Sequence, residues 1–485
     1  MNLDQKRAPL LEALINYANA YPARFHVPGH GGGRGAPEEL MALVGPGLFS
    51  MDVTELPGLD DLNCPLEVIA QAQDLATKAF GAERSFFLVN GTTSGLQALI
   101  LAVGRQNGVV IVPKNVHRSV VGGLILAGMD PVFVAPTIVP EFHFAAGVSP
   151  NGIAKAIEAY PKACAVLCIH PTYYGTVGDT EKISDLAHAA EIPVLADEAH
   201  GCHFCFHEGY PAGALQLGAD AVVQSAHKTA GSLTQSSFLH IRSSLLDRER
   251  VFSALKLIQT SSPSYVLMAS LDAARRRLAL EGQDLLQELL LAVDKIVDGL
   301  AEIPGIQIFG PENLDGEGVY GYDPSRLVIR VSGMGLTGHQ AADWLRTEKG
   351  IYVEMADYDN IVLVPGLGVT QEDCSRLVLA MRDLRFREGK KPVPLDVNLN
   401  NIPPAKAVLG LRQAWFANSQ TIPVEEAVGS VCAEWVAVYP PGIPVIIPGE
   451  EVTSEMVNYL CWARESGLRF QGPADSEFRT IRVIE

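Results

Sequence analysis

Between residues 68 and 245 the chain passes repeatedly through a helical stretch, a Gly or Pro break and a short run rich in Val, Ile, Leu and Phe. This alternation leaves few architectures open. Strand-length apolar runs separated by helix-length segments bury both faces only as a mostly parallel sheet covered by helices. The strand candidates are 85–89, 109–112, 131–135, 165–169, 193–196, 221–224 and 237–241. They predict a single large α/β domain built on seven strands.

Flanking segments read differently. Residues 1–65 are rich in Gly and Pro and read as an amino-terminal arm rather than a core, of the kind that needs a partner to lie on. The large domain is assigned to 66–285. At 265–301, Leu and Ile at three- and four-residue spacing with charges between predict an amphipathic connecting helix. A small α+β domain, 286–390, follows, with strands expected at 326–331, 351–355 and 360–364 and a helix at 371–388. The carboxy-terminal region, 391–485, begins Pro-rich, turns helical, then passes through YPPGIPVIIPGE (439–450), expected to be loop and short strand.

Charge narrows the function classes. With 37 basic against 55 acidic residues the formal charge is -18, which argues against a nucleic-acid surface or adsorption to anionic membrane. The chain shows neither a secretory start nor an uncharged stretch of about 18 residues able to span a bilayer, so a cytoplasmic protein is expected. Eight scattered cysteines suggest no disulfide framework. Cys202 and Cys205 form a CxxC around His203, but no second CxxC completes a four-thiolate metal site. They are expected to be small buried hydrophobes, with a reversible disulfide as the alternative.

In an open α/β sheet, ligands gather outside the carboxyl ends of the strands, and the residues just past the predicted strands are polar here. The first strand is followed by Asn90-Gly-Thr-Thr-Ser-Gly and an apolar helix, whose N–H groups, with the hydroxyls of Thr92 and Thr93 and with Ser94 as a further candidate, would cradle a phosphate; an N-cap without ligand uses the same residues. The second is followed by His117. After the fifth comes Asp197-Glu-Ala-His, a carboxylate able to accept from a protonated ring nitrogen or to cap a turn. After the sixth comes Ser225-Ala-His-Lys228. A lysine at an inner strand end is costly to bury as an ammonium, and a covalent bond to an aldehyde removes that cost. Pyridoxal phosphate satisfies all four strand ends together: phosphate at Thr92 and Thr93, ring face at His117, pyridine nitrogen at Asp197, aldehyde at Lys228.

Ordered motifs then run through nearly the whole chain: FHVPGHGGG (25–33), ELPGLDDL (55–62), FFLVNGTTSG (86–95), VPKNVHRSV (112–120), PTYYGTVGD (171–179), VLADEAHG (194–201), GADAVVQSAHKT (218–229), SSPSYVLMASLDAAR (261–275) and YPPGIPVIIPGE. In these the chain resembles the Orn/Lys/Arg decarboxylase family of fold-type I pyridoxal-phosphate enzymes, in a short form without an amino-terminal wing. The resemblance implies an α/β, transferase-like fold with a seven-stranded mostly parallel sheet and a smaller α+β carboxy-terminal region. It implies that Lys228 binds the cofactor covalently, Asp197 pairs with the pyridine nitrogen, His117 stacks on the ring and Ala199 lies on the opposite face. Ser225 and His227 join Thr92 and Thr93 at the phosphate. Lys228 or a nearby histidine, His200 being the candidate, returns the proton to Cα. Glu450 is the implied partner of a basic substrate side chain. Glu55, Asp60 and Asp61 would face a neighbouring subunit's pocket, and Ser261 and Ser262 its phosphate, so a homodimer is the expected smallest active unit. The sequence departs from the family pattern at Gly31, where Lys is frequent, and at Asn63, where His is frequent.

Decarboxylation of a basic L-amino acid is the expected reaction, arginine to agmatine ahead of lysine to cadaverine, with ornithine behind. Transamination or elimination on the same scaffold is the alternative, opposed by the lack of an evident arginine motif for holding a substrate carboxylate. A non-catalytic regulator is opposed by the intact Lys228 and Asp197. No metal is implied.

Overall fold

The computed structural model describes residues 4–384, 405–439 and 443–485. The chain divides into two compact units, 1–102 with 193–288, and 103–192 with 289–485.

The seven expected strands form as β1 (Arg84–Leu88), β2 (Val109–Pro113), β3 (Asp130–Val134), β4 (Ala165–Ile169), β5 (Val194–Asp197), β6 (Ala221–Gln224) and β7 (Ser237–Ile241). Within the first unit the strand order is β1-β7-β6-β5, and within the second β4-β2-β3. In the first unit β5 and β6 run parallel, while β7 is antiparallel to β6 and to β1. In the second, β2 is parallel to β3 and β4. Strands β5, β6 and β7 are buried along their whole length, which explains why they read as continuous apolar runs rather than alternating ones.

Helix Gly91–Val103 follows β1 through Gly91, at φ +69°. Gly95 lets that helix settle on the sheet, since a Cβ there would come within 2.7 Å of Leu88 and 2.8 Å of Val223. The amino-terminal segment is more embedded than an arm reading suggests: helix Pro9–Asn19 buries Leu10 and Leu14, four residues apart on one face, and Asp272 accepts from the Leu10 N–H at 3.0 Å. The segment beyond it does stand out, with Tyr21, Phe25 and Val27 exposed.

The 37-residue helix Tyr265–Ala301 matches the expected connector. In the second unit the strand expected at 326–331 forms as Leu327–Arg330, and that at 360–364 as Asn360–Leu363; they pair antiparallel. The strand expected at 351–355 shrinks to Met355–Ala356, paired with Val362 and Ile361. Of 351–354 only Glu354 reaches strand Asn360–Leu363, its N–H donating to the Val362 carbonyl at 3.0 Å, and propensity without further ladder partners among the described residues makes no strand. Helix Gln371–Leu384 fills most of 371–388; residues 385–388 and the Pro-rich start of the tail lie outside the described residues. In the carboxy-terminal region, strands Val436–Tyr439 and Ile443–Ile446 flank 440–442, which also lie outside them. Met456, Leu460, Phe478 and Ile481 anchor a core of its own there.

Candidate active site

In the first unit, four chain segments meet at one edge of the sheet: the carboxyl ends of β1, β5 and β6 and the start of antiparallel β7. Gly91 N–H donates to the Gln235 carbonyl at 2.9 Å, and His227 Nδ1 lies 3.0 Å from the Ser236 carbonyl oxygen. Thr92 Oγ1 and Ser225 Oγ are 3.2 Å apart. Two hydroxyls, the N-terminus of a 13-residue helix and exposed Thr93 thus stand together. Such an end carries free N–H groups and a partial positive charge, suited to a phosphate. Ser94 belongs to the helix instead, its hydroxyl donating to the Gly91 carbonyl at 2.9 Å.

Lys228 sits in the short helix Ala226–Thr229, and its Nζ is 2.8 Å from His200 Nε2. Asp197 is the last residue of β5 and is 7% exposed; its Oδ1 accepts from Ala199 N–H at 3.2 Å, while Oδ2 has no hydrogen-bond partner among the described residues. A buried carboxylate needs a cation or further donors, and a protonated ring nitrogen supplies one. Ala199 is 8% exposed, so the backbone between Asp197 and His200 is closely packed. Burial, reinforced by the nearby Lys228 charge against a raising bond to Ser236, lowers the His227 pKa and favours its neutral form. Together these groups fit pyridoxal phosphate: an amine for the aldehyde, an acid oxygen for the ring nitrogen, and hydroxyls at a helix start for the phosphate.

In the second unit, His117 follows β2 and caps helix Arg118–Ala127; its Nδ1 accepts from Ser119 N–H at 3.3 Å and lies 2.8 Å from Ser119 Oγ, leaving an exposed ring. Glu450 is 5% exposed rather than a surface loop acid. Its Oε2 accepts from Ile447 N–H at 3.0 Å, and Oε1 has no hydrogen bond among the described residues. Burial raises its pKa, opposed by the charge of Lys114, which directly follows β2.

The arm acids divide. Asp60, at φ +67°, accepts from the N–H groups of Asp61, Leu66, Glu67, Ile69 and Ala70 at 2.8–3.2 Å. It caps helix Val68–Ala79, so its carboxylate is committed to the fold rather than to a pocket. Asp61 Oδ1 accepts from Asn63 N–H at 2.8 Å, and exposed Glu55 accepts from the Thr54 hydroxyl. Ser261 and Ser262 are exposed. Cys202 and Cys205 are free thiols; burial pushes both pKa values well up, which suppresses thiolate chemistry.

Sequence reasoning passed over Glu198 and Gln224. Glu198 is 1% exposed, with Oε1 accepting from Ala214 N–H at 2.8 Å and Oε2 2.6 Å from Gln224 Nε2. A signal existed: Gln224 is the only polar residue in the buried strand Ala221–Gln224, and a polar side chain there requires a partner. Lys114, at the end of an apolar run beside His117, was also passed over.

Residues 8–373 match the family model described as Orn/Lys/Arg decarboxylase, major domain, and residues 401–476 match its C-terminal domain. The arginine decarboxylase of Bacillus subtilis (strain 168) is 41% identical over 486 residues, covering 100% of this chain and 99% of that one. That of Halalkalibacterium halodurans is 39% identical, covering 99% and 98%. Among solved structures, the Francisella novicida lysine decarboxylase superposes with a TM-score of 0.82 over 99% of this chain and 81% of that one, at 21% identity, a likeness of fold. A more distant fold neighbour is an alanine–glyoxylate aminotransferase from Nostoc, with a TM-score of 0.53 over 66% of this chain. The matched family, the relatives along the full length and the strand-end chemistry converge: this chain belongs to the Orn/Lys/Arg decarboxylase family and is a pyridoxal-phosphate-dependent amino acid decarboxylase of fold-type I.

Proposed function

We propose that the protein converts L-arginine to agmatine and carbon dioxide, as a cytoplasmic homodimer serving polyamine biosynthesis. The observation that carries this reading is the strand-end cluster, where the Lys228 amine lies 2.8 Å from His200 and Asp197 has one oxygen unbonded among the described residues, able to accept from a cationic ring nitrogen. Arginine is placed ahead of lysine because the relatives named arginine decarboxylase reach 41% identity, whereas the Pseudomonas aeruginosa lysine decarboxylase reaches 24%.

When bound, pyridoxal phosphate supplies an electron sink for the pair left on Cα as carbon dioxide departs. Lys228 would hold the cofactor through its amine, which lies 2.8 Å from His200 Nε2. Asp197 would keep a proton on the ring nitrogen through a charge-assisted hydrogen bond. Thr92, Thr93, Ser225 and His227 would hold the phosphate, His117 and Ala199 would hold the ring, and Ser261 and Ser262 would serve the phosphate of a second copy of this chain. By fixing the cofactor at both ends, these residues would also fix the orientation of the substrate joined to it, so that its carboxylate is the group placed for loss. The Lys228–His200 pair then delivers a proton to Cα. Glu450 receives the guanidinium through its Oε1; Glu55 and Asp61 add negative potential from the second copy, while Asp60 shapes that loop. In functional terms the chain keeps the order of arm (1–65), cofactor-binding domain (66–285), small domain (286–390) and carboxy-terminal region (391–485).

The decisive assay offers purified protein and pyridoxal phosphate to arginine, lysine and ornithine separately. Agmatine and carbon dioxide in equal amounts are expected from arginine. Cadaverine or putrescine as the faster product would overturn the substrate assignment, and a keto acid without carbon dioxide would overturn the reaction.

A further inference from the structure

Glu198 stands between Asp197 and Ala199 yet faces the other way. Successive side chains at a strand end point to opposite sides. With Asp197 turned to the cofactor edge, Glu198 turns inward and is 1% exposed. Its N–H extends the ladder between β5 and β6 by donating to the Val223 carbonyl at 3.0 Å. Its carboxyl group then crosses to Gln224, the last residue of β6 and the one before Ser225. The two strand ends bearing Asp197 and the Ser225–Lys228 segment are therefore tied by one side-chain bridge, and Ala214 N–H ties the same group to a third segment.

Three observations bear on its protonation. The Glu198–Gln224 contact is 2.6 Å, short for an N–H donor and within the range of an O–H donor. Gln224 Oε1 is buried with no hydrogen-bond partner among the described residues, and amide oxygen and nitrogen are interchangeable by a flip that would bring this oxygen to the carboxyl group. Burial pushes the Glu198 carboxyl up to about 8, against the bonds from Gln224 and Ala214, which pull the other way. Space is closed as well: a Cβ on Gly201 would come within 2.7 Å of the Glu198 Cγ.

We infer that Glu198 is a positioning residue, a neutral carboxylic acid that donates its proton to the Gln224 amide oxygen and so fixes the spacing between Asp197 and the Lys228 segment. Neutrality matters beside Asp197. It leaves that residue as the one negative charge competing for the ring nitrogen's proton. The inference rests on the decarboxylase reading above.

The test compares wild type, Glu198→Gln and Glu198→Ala, first as cofactor-free proteins. Infrared spectra at pH 7 should show a buried protonated carboxyl band that Glu198→Gln lacks; no such band in wild type overturns the inference. Titrated with pyridoxal phosphate, Glu198→Ala should bind about tenfold more weakly, as expected for losing a buried bridge with two partners left unsatisfied. The pH profile of its bound cofactor's visible absorbance should shift, and kcat should fall while KM for the amino acid stays within about twofold. Glu198→Gln, which can both accept from Ala214 and donate to Gln224, should restore affinity and pH profile. If Glu198→Gln is as impaired as Glu198→Ala, the acid acts as a charge and the inference fails; because the Gln variant and the infrared band carry the test, misfolding of Glu198→Ala leaves it intact. Wild type that releases no carbon dioxide from any basic amino acid would instead overturn the functional reading.

Discussion

Two buried glutamates, one in each unit, show how the same residue in similar burial takes opposite roles. Glu198 follows Asp197 at a strand end of the first unit, and both of its oxygens are bonded within the protein. Glu450 sits in the carboxy-terminal region of the second, with one oxygen bonded to Ile447 N–H and the other unbonded among the described residues. Burial raises the pKa of both, but only Glu450 has a cation, Lys114, acting in the other direction. Burial by itself therefore does not mark a ligand-binding acid. What marks it is hydrogen-bonding capacity left over once the fold is satisfied, together with positive charge that keeps the group ionised.

Removing the centre of the strand-end cluster is the strongest test of that contrast. Lys228→Ala should lower kcat by at least about 10³-fold and abolish the bound cofactor's visible absorbance, since it removes the covalent anchor and a proton carrier together. If both survive, the first unit's cluster is not the catalytic centre. Glu450→Gln should next raise KM for arginine by about 10- to 100-fold with a smaller change in kcat, the loss expected for one charged hydrogen-bonding partner. Unchanged KM would reduce Glu450 to a structural acid like Glu198. Asp60 extends the comparison to the arm. With its carboxylate engaged by five backbone N–H groups, Asp60→Ala should cost about 1–2 kcal/mol in a denaturant melt and leave KM within about twofold; a larger KM effect would return it to the pocket.

The smallest expected effect is on pH dependence. Because burial raises the Glu450 pKa, protonation begins at a higher pH than for an ordinary carboxylate, so KM for arginine should climb a few-fold as pH falls into the mildly acidic range. The sign follows from the ionised form being the one that holds a guanidinium. Glu450→Gln should flatten that slope, and a slope persisting in the variant would assign it to another group.

Much of this was legible in the sequence because backbone and local chemistry are local. Strands Ala165–Ile169, Ala221–Gln224 and Ser237–Ile241 and the helix Tyr265–Ala301 agree with the expected bounds, since their apolar runs and periodicities lie within single segments. Lys228, Asp197, Thr92 and Ser225 stood out because each ends an apolar strand or lies within four residues of its end. Less legible was whatever depended on a distant partner. The short pairing at Met355 is decided by Val362, the arm acid at 60 by a helix that starts eight residues later, and Glu198 by Gln224 across the sheet.

By itself the sequence determined the alternation of helix and strand, the chemical types at the strand ends and the cofactor class they suit, because side-chain pattern and strand-end position are properties of contiguous residues. Only the tertiary structure decided which acids retain free oxygens: the donors that satisfy Asp60 and Glu198, and the single donor that leaves half of Glu450 available, come from backbone N–H groups and side chains that folding alone brings into hydrogen-bond range.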